Sequence, residues 1–456
     1  MNFAPACARG APECSVRIFS AHFPEPGAMS QDSRLRIDVS GLLEETVGKG
    51  GVPRREVLAL APRFEELTHR LRDDPPPFLA LPFADVADIG ARARRIVERF
   101  RRTVVLGMGG ASLGGEMLVQ VLAAHPARHP VIFCDNVDPD TLTQQTGNDV
   151  DDTHLLVISK AGGTAETLAQ FLSLLPLLEA NGAARLAEQL TLVTENPHGA
   201  LALLARQLKL EFLPHPPVGG RFSALSIVGL LPAAVAGVDI EALLAGARAM
   251  SERCRQPDIE NNPALFNAGA QYLHGQRGRS VSVHWAYSDR LLPVTRWLRQ
   301  LWGESLGKRD AAGRPQGFTP VPARGATDQH SQLQLYLDGP DDKQFTFFTD
   351  PTLHQRGRRV PARFTALPAV APLAGHTTGE LLHAEFEATR QTLARHGRPH
   401  RVIALEPDAA SLGELIVLLE TETAATAALL GVNAYDQPAV EEGKKLAREY
   451  LKKGKS

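Results

Sequence analysis

Short β-branched or apolar runs, each followed by a segment with helical spacing, constrain the fold of this chain more than any other feature. The first set is Thr103-Val-Val-Leu106, Pro130-Val-Ile-Phe133, His154-Leu-Leu-Val-Ile158 and Leu190-Thr-Leu-Val193. Strand followed by helix at this spacing indicates a parallel sheet with helices on both faces. A second set follows the helical segments near 223–276: Ser280-Val-Ser-Val283, Gly317-Phe-Thr-Pro-Val321, Gln344-Phe-Thr-Phe-Phe348 and Arg401-Val-Ile-Ala-Leu405. The reading is an α/β protein with two doubly wound parallel-sheet domains. Residues 36–100 read as helical scaffold, with Leu42, Leu43 and Val47 on one apolar stripe and Val86, Ile89, Ala93 and Ile96 on another. The expected division is a disordered leader at 1–35, a helical segment plus first sheet domain at 36–260, a second sheet domain at 261–430 and a C-terminal helical arm at 431–456.

Charge and cysteine usage narrow the partners. A net charge of −2 over 456 residues argues against nucleic acid or a membrane surface held by bulk electrostatics and favours a small ligand. Cys7, Cys14, Cys134 and Cys254 lack metal spacing and form no secreted disulfide framework, which fits a reducing, cytoplasmic location. Residues 1–30 lack a charged stretch followed by an apolar run, so no signal peptide is expected, and Met29 is available as an alternative start. No uninterrupted apolar run of about 18 residues suggests a transmembrane helix.

Six stretches carry candidate chemistry. Gly107-Met-Gly-Gly-Ala-Ser-Leu-Gly-Gly115 follows the first run and opens a helix, where backbone N–H groups such as that of Gly110 meet an anion or polar ligand. Ser112 stands where a dinucleotide fingerprint has glycine, and a tight structural turn is the plain alternative. In Ser159-Lys-Ala-Gly-Gly-Thr-Ala-Glu-Thr167, Gly162 and Gly163 let the backbone curl, Ser159 and Thr164 supply hydroxyls and Lys160 supplies charge. These are the parts of a phosphate-monoester site; the same residues fit a helix capped by Thr164, with Thr167 packing. Val218-Gly-Gly-Arg-Phe-Ser223 contains Arg221, which in isolation reads as an ion-pair residue.

The other three stretches lie further along. Trp302-Gly-Glu-Ser-Leu-Gly-Lys308 ends a helix with apolar positions Leu291, Val294, Leu298 and Leu301, and places Gln300 and Glu304 one turn apart on a shared face. A carboxylate is disfavoured at a helix C-terminus, which hints at another use for Glu304. Arg324-Gly-Ala-Thr-Asp-Gln-His330 precedes Ser331–Pro340, where alternating Leu333, Leu335 and Leu337 read as a strand. Last, Asn433-Ala-Tyr-Asp-Gln-Pro-Ala-Val-Glu-Glu-Gly-Lys444 joins a long apolar helix to a short basic one. Pro438 suits a first helical turn. The spacing predicts Gln437, Val440 and Lys444 on one helix face, whereas Lys445, Lys452, Lys453 and Lys455 read as a solvated helix end.

Taken in order, these motifs resemble those of the phosphoglucose isomerase family over roughly residues 36–453: S-K-x-x-x-T-x-E-T, V-G-G-R-(Y/F)-S, E-S-x-G-K, T-x-Q-H and D-Q-P-x-V-E-x-G-K. The first is the sugar-phosphate clasp of sugar isomerase (SIS) domains. The resemblance implies two SIS-type domains that interconvert glucose 6-phosphate and fructose 6-phosphate without metal or cofactor. It further implies Glu304 as the proton-transfer base, His330 and Lys444 as the ring-opening groups and Arg221 facing the enediolate. Gly110, Ser159, Lys160, Gly162, Gly163, Thr164, Gln300 and Gln437 would contact substrate. A homodimer in which the histidine crosses to the neighbouring subunit is implied as well, and a helix at 331–340 in place of the strand that the alternation suggests. Ala111, Ala161, Gly163 and Ala439 depart from the family pattern, so weaker binding or altered preference is expected before loss of function. A broader isomerase accepting mannose 6-phosphate and a non-catalytic SIS-domain sensor are the alternatives; a sensor would not need Glu304, His330 and Lys444 together.

Overall fold

A computed structural model of the protein describes residues 33–147, 150–180 and 182–453; the expected leader, up to residue 32, lies outside the described residues. From Arg34 onward the chain forms one compact unit built on two five-stranded sheets. After a short edge strand β1 (Arg36–Asp38), the first sheet comprises β2 (Arg102–Leu106), β3 (Val131–Cys134), β4 (Thr153–Ile158), β5 (Leu190–Thr194) and β6 (Phe212–Pro214) in the order β3-β2-β4-β5-β6. All its pairings are parallel. Every residue of β4 is buried, which is why Leu155–Ile158 is a continuous apolar run rather than an alternation. The chain steps from β2 to β3 on one side and returns to β4 on the other, so the C-terminal ends of β2 and β4 flank the point where strand order reverses. Open α/β sheets bind ligands in that crevice.

In the second half, β7 (Val281–Tyr287), a two-residue ladder of β8 (Lys308–Arg309) with β9 (Pro315–Gln316), β10 (Thr319–Arg324), β11 (Lys343–Thr349) and β12 (His400–Ala404) follow. The main sheet runs β1-β12-β11-β7-β10, parallel except for β1. Trp285 lies opposite Phe347 in the β7–β11 register, and their rings stack at 5.6 Å within an aromatic core that includes Tyr287, Tyr336, Phe345 and Phe386.

Two local expectations change, and the element on which alternation and resemblance differ is resolved. The region 36–100 is not wholly helical, because Arg36–Asp38 pairs antiparallel with β12, Ile37 opposite Ile403; three residues are too few to show a period. The strand expected from Gly317 starts at Thr319, since Gly317 has φ 130° and the Phe318 ring packs on Trp302 at 5.3 Å. Residues Leu333–Asp338, whose alternation reads as a strand, form a helix. There Tyr336 is buried with Leu333 and Leu337 packed around the same aromatic core, and Leu335 turns outward at 51 % exposure. The i, i+3, i+4 face wins because Tyr336 outweighs Leu335 in burial.

Helix Ala409–Leu430 is buried along nearly its whole length, as its Leu- and Ala-rich sequence with no polar face demands, and it takes Glu414, Glu420 and Glu422 into the interior with it. Glycine admits its neighbour, the helix Ile240–Cys254: a Cβ on Gly413 would meet Leu243 O at 1.9 Å and one on Gly246 would meet Ala410 O at 1.9 Å. The helix ends at Gly431, whose φ of 69° is left-handed. That turn launches the 431–437 segment toward the first sheet.

Three of the buried histidines stand out in this framework: His154 Nε2 contacts Thr191 Oγ1 at 3.1 Å, His274 contacts Leu42 O through Nε2 at 2.9 Å and Arg279 Nη1 through Nδ1 at 3.4 Å, and His284 Nε2 contacts Ser282 Oγ at 3.2 Å. Burial pushes all three down to about 3. Their folded values lie below the unfolded one near 6.5, so the unfolded chain takes up protons first as pH falls, and stability is lost from about pH 6.5 toward 3. At pH 5 each site is expected to cost about 2 kcal/mol relative to neutral pH. Urea unfolding at pH 7 and pH 5 should therefore show a clearly lower midpoint in acid; an unchanged or higher midpoint would refute the assignment.

Candidate active site

Arg221 is the hub of the site. It lies in the turn Gly220–Phe222 and is almost fully buried, so each of its N–H groups needs an acceptor. All five find one: Nε donates to Ser305 Oγ at 2.8 Å, Nη1 to Glu304 Oε2 at 3.1 Å and Gln437 Oε1 at 2.7 Å, and Nη2 to Ala434 O at 2.6 Å and Asp436 O at 2.8 Å. Burial pulls the guanidinium below its ordinary pKa, and the charges of Glu304 and Asp436 act against that pull.

Glu304 sits in the last turn of the helix Leu292–Leu306, where the helix dipole opposes a carboxylate. Arg221 offsets the opposition. The second oxygen, Oε1, accepts from Gln300 Nε2 at 2.9 Å, as the one-turn spacing predicts. With its side chain 31 % exposed, Glu304 keeps access to solvent while its partner has none.

The glycine turn after β2 closes on the same place. A Cβ on Gly109, whose φ is +56°, would meet Gln300 Nε2 at 2.9 Å, and one on Gly110 would meet Gly220 C at 2.2 Å. Gly110 is needed for this approach of two backbones, and its carbonyl accepts from Ser223 Oγ at 3.3 Å. The turn, the Arg221 motif and the Glu304 helix, separate in sequence, are thus in contact.

After β4, Ser159 Oγ and Thr164 Oγ1 lie 3.0 Å apart, and Gly162 takes φ +68°. Thr164 occupies the N-cap of the helix Ala165–Glu179 but makes no side-chain cap hydrogen bond; its hydroxyl turns to Ser159 instead, which weakens the capping alternative. Gly163 has open space where a Cβ would be. Lys160 pairs with Glu195 at 3.3 Å. Ser112 Oγ, Thr167 Oγ1 and Gln300 Oε1, all in elements that frame the site, are buried without a hydrogen-bond partner among the described residues.

Two expected participants stand apart. His330 is exposed on the helix Thr327–Ser331, which Gln329 anchors by donating to Glu385 O at 3.0 Å. Lys444 lies on the exposed helix Glu441–Lys453, paired with Glu441 at 2.7 Å. The predicted common face of Gln437, Val440 and Lys444 does not form, because a 3-10 turn at Pro438–Val440 separates Gln437 from the α-helix. Gln437 reaches Arg221; Lys444 faces solvent.

Several further partners had been given no role. Ser305, the carbonyls of Ala434 and Asp436, and the pair Lys308–Asp436 at 2.8 Å complete the cluster. Ser305, Lys308 and Asp436 stand inside the quoted motifs without an assigned role, and the two carbonyls leave no signal in residue identity.

Comparison with known proteins identifies the family and the fold. The family model described as Phosphoglucose isomerase matches residues 83–456. Glucose-6-phosphate isomerase of Rubrobacter xylanophilus is 40 % identical over 427 residues, covering 90 % of this chain and 96 % of that protein. A hypothetical protein from Thermus thermophilus, of known crystal structure, has a TM-score of 0.82 at 34 % identity, covering 91 % of this chain and 99 % of that one. A glucose-6-phosphate isomerase from Chlamydia trachomatis shares the fold, with a TM-score of 0.74 at 21 % identity over 91 % of this chain and 92 % of that one.

Proposed function

The chain belongs to the phosphoglucose isomerase family, and from that premise we propose how its residues interconvert glucose 6-phosphate and fructose 6-phosphate. The observation that carries the reading is the Arg221–Glu304–Gln300 cluster beside the strand-order reversal of the first sheet. An aldose–ketose exchange needs one base that takes the proton from C2 and returns it to C1; Glu304, oriented through both oxygens and still reachable, fills that role. The intermediate is an anionic enediolate. Arg221, with every N–H committed, stabilises it by the charge it holds in place rather than by offering a new hydrogen bond.

The Ser159–Thr164 loop holds the phosphate through its hydroxyls and the N–H groups at the start of the following helix. That anchor decides which carbons meet Glu304. We assign ring opening to His330 and Lys444. Within one chain both are exposed and neither is among the hydrogen-bond partners of Arg221, which fits a homodimer whose second copy supplies His330, and an arm that supplies Lys444. The reading places the enzyme in the cytoplasm, at the glucose 6-phosphate step of glycolysis and gluconeogenesis.

A test of the phosphate anchor is the double substitution Ser159→Ala with Thr164→Ala. In a coupled assay containing chelator, wild-type protein should form glucose 6-phosphate from fructose 6-phosphate. The variant should show a KM raised by about tenfold or more, with competition by inorganic phosphate weakened in parallel, because both ligands use the same donors. Unchanged competition by phosphate would make the loop a structural cap.

A further inference from the structure

Asp436 presents Arg221 with its main-chain carbonyl, not with its carboxylate. The carboxylate is held elsewhere. Oδ1 pairs with Lys308 Nζ at 2.8 Å and Oδ2 accepts from Asn433 Nδ2 at 3.1 Å. Lys308 Nζ also donates to Asn433 O, and Asn433 Oδ1 accepts from Tyr435 N at 2.9 Å. The 433–436 turn is therefore clasped from the start of β8, four residues beyond Glu304. The Lys308 side chain is only 9 % exposed, and the ladder that begins with it is braced by Asp310, which accepts from Ala312 N, Arg314 N, Arg314 Nε and Gln316 Nε2.

A buried guanidinium with two carboxylates in reach will pair with whichever is not otherwise satisfied. Arg221 feels both Glu304 and Asp436, yet only Glu304 touches it through a carboxylate oxygen. We propose that Lys308 is a positioning residue for the isomerisation: by engaging the Asp436 carboxylate it keeps that group off Arg221, so that the guanidinium stays paired with the base Glu304. Asn433 completes the restraint by taking the other oxygen. The proposal rests on the catalytic reading of Glu304 given above. It differs from a simple tether in a way that can be measured. If Lys308 only fastened the turn, removing Asp436's charge as well would do no good; if Lys308 restrains a competing carboxylate, neutralising that carboxylate relieves the defect.

The experiment is steady-state kinetics on Lys308→Met, Lys308→Arg, Asp436→Asn and the double variant Lys308→Met/Asp436→Asn, with urea unfolding of each. Lys308→Met should lower kcat about 10- to 100-fold, the range expected when a base is displaced by a fraction of an ångström to an ångström. KM should stay within about threefold, since the phosphate is held by a different loop. Lys308→Arg should keep kcat within about fivefold. The double variant should regain a substantial part of the kcat lost in Lys308→Met. A double variant as slow as or slower than Lys308→Met would overturn the proposal, as would a defect confined to KM. Should Lys308→Met fail to fold, Lys308→Gln, alone and with Asp436→Asn, gives the same comparison. Active wild-type protein with unaffected Lys308 variants would remove this inference alone; wild-type protein without isomerase activity would remove the catalytic reading and this inference with it.

Discussion

Glu304→Gln is expected to lose about two to four orders of magnitude in kcat while the protein stays folded and binds sugar phosphate, the usual share of a positioned general base. The substitution keeps the shape. A glutamine Oε1 can still accept from Arg221 Nη1, and Gln300 can rotate its amide to present Oε1, which lacks a partner among the described residues, to the new Nε2. What disappears is the capacity to take a proton from C2. KM should move little because the phosphate anchor lies on the loop after β4. Steady-state kinetics with fructose 6-phosphate measure both parameters, and near wild-type kcat would remove Glu304 from the mechanism.

The largest expected effect of a single substitution on stability lies away from the site, at Arg401 and Glu422. Both side chains are fully buried. Arg401 donates to Glu422 through two parallel hydrogen bonds, Nη1 to Oε2 at 2.7 Å and Nη2 to Oε1 at 2.8 Å, and to Thr346 Oγ1 at 2.9 Å. Gln271 donates to the same carboxylate. The pair thus ties β12 and β11 to the central helix Ala409–Leu430 and to the helix Pro263–Gln276. Arg401→Met should cost about 3–5 kcal/mol, because it leaves an unpaired charge in the core. The double change Arg401→Met with Glu422→Leu should recover most of that loss, since an apolar pair of similar volume carries no desolvation cost. Urea unfolding of the three proteins decides it; a double variant worse than the sum of its parts would show the network to be worth more than the charges it contains.

The strands were legible because their signal is local. Each expected strand lies within a residue or two of the observed start, and the fully apolar runs correctly implied sheets covered on both faces. β7 runs on to Tyr287 through Trp285 and Tyr287, aromatics whose burial depends on the facing strand. β1 escaped because an edge strand of three residues has no period. The helix at Leu333–Asp338 was ambiguous because Leu333, Leu335 and Leu337 satisfy a two-residue period, while the deciding contact, Tyr336 against Trp285 at 5.5 Å, joins distant parts of the chain.

The site was legible in its residues and not in its wiring. Arg221, the pair Gln300 and Glu304, and Gln437 come from three separate stretches and meet in one cluster. Nothing local says that Arg221 will also take Ser305 and two carbonyls of the 434–436 turn, because main-chain acceptors leave no mark on residue identity. Lys308 was visible only as the end of a motif. His330 and Lys444 show the converse: their motifs are clear, and a single chain leaves both on its surface.

Isomerisation of glucose 6-phosphate in D2O, with the fructose 6-phosphate product read by NMR and Glu304→Gln run in parallel, tests the central claim most directly. Proton transfer through a carboxylate that exchanges with solvent predicts deuterium at C1 of the product formed by wild-type protein, and product formation slowed by about a hundredfold or more in Glu304→Gln. Product carrying no solvent deuterium after full conversion, or an equal rate in the variant, would contradict Glu304 as the base that carries the proton between C2 and C1.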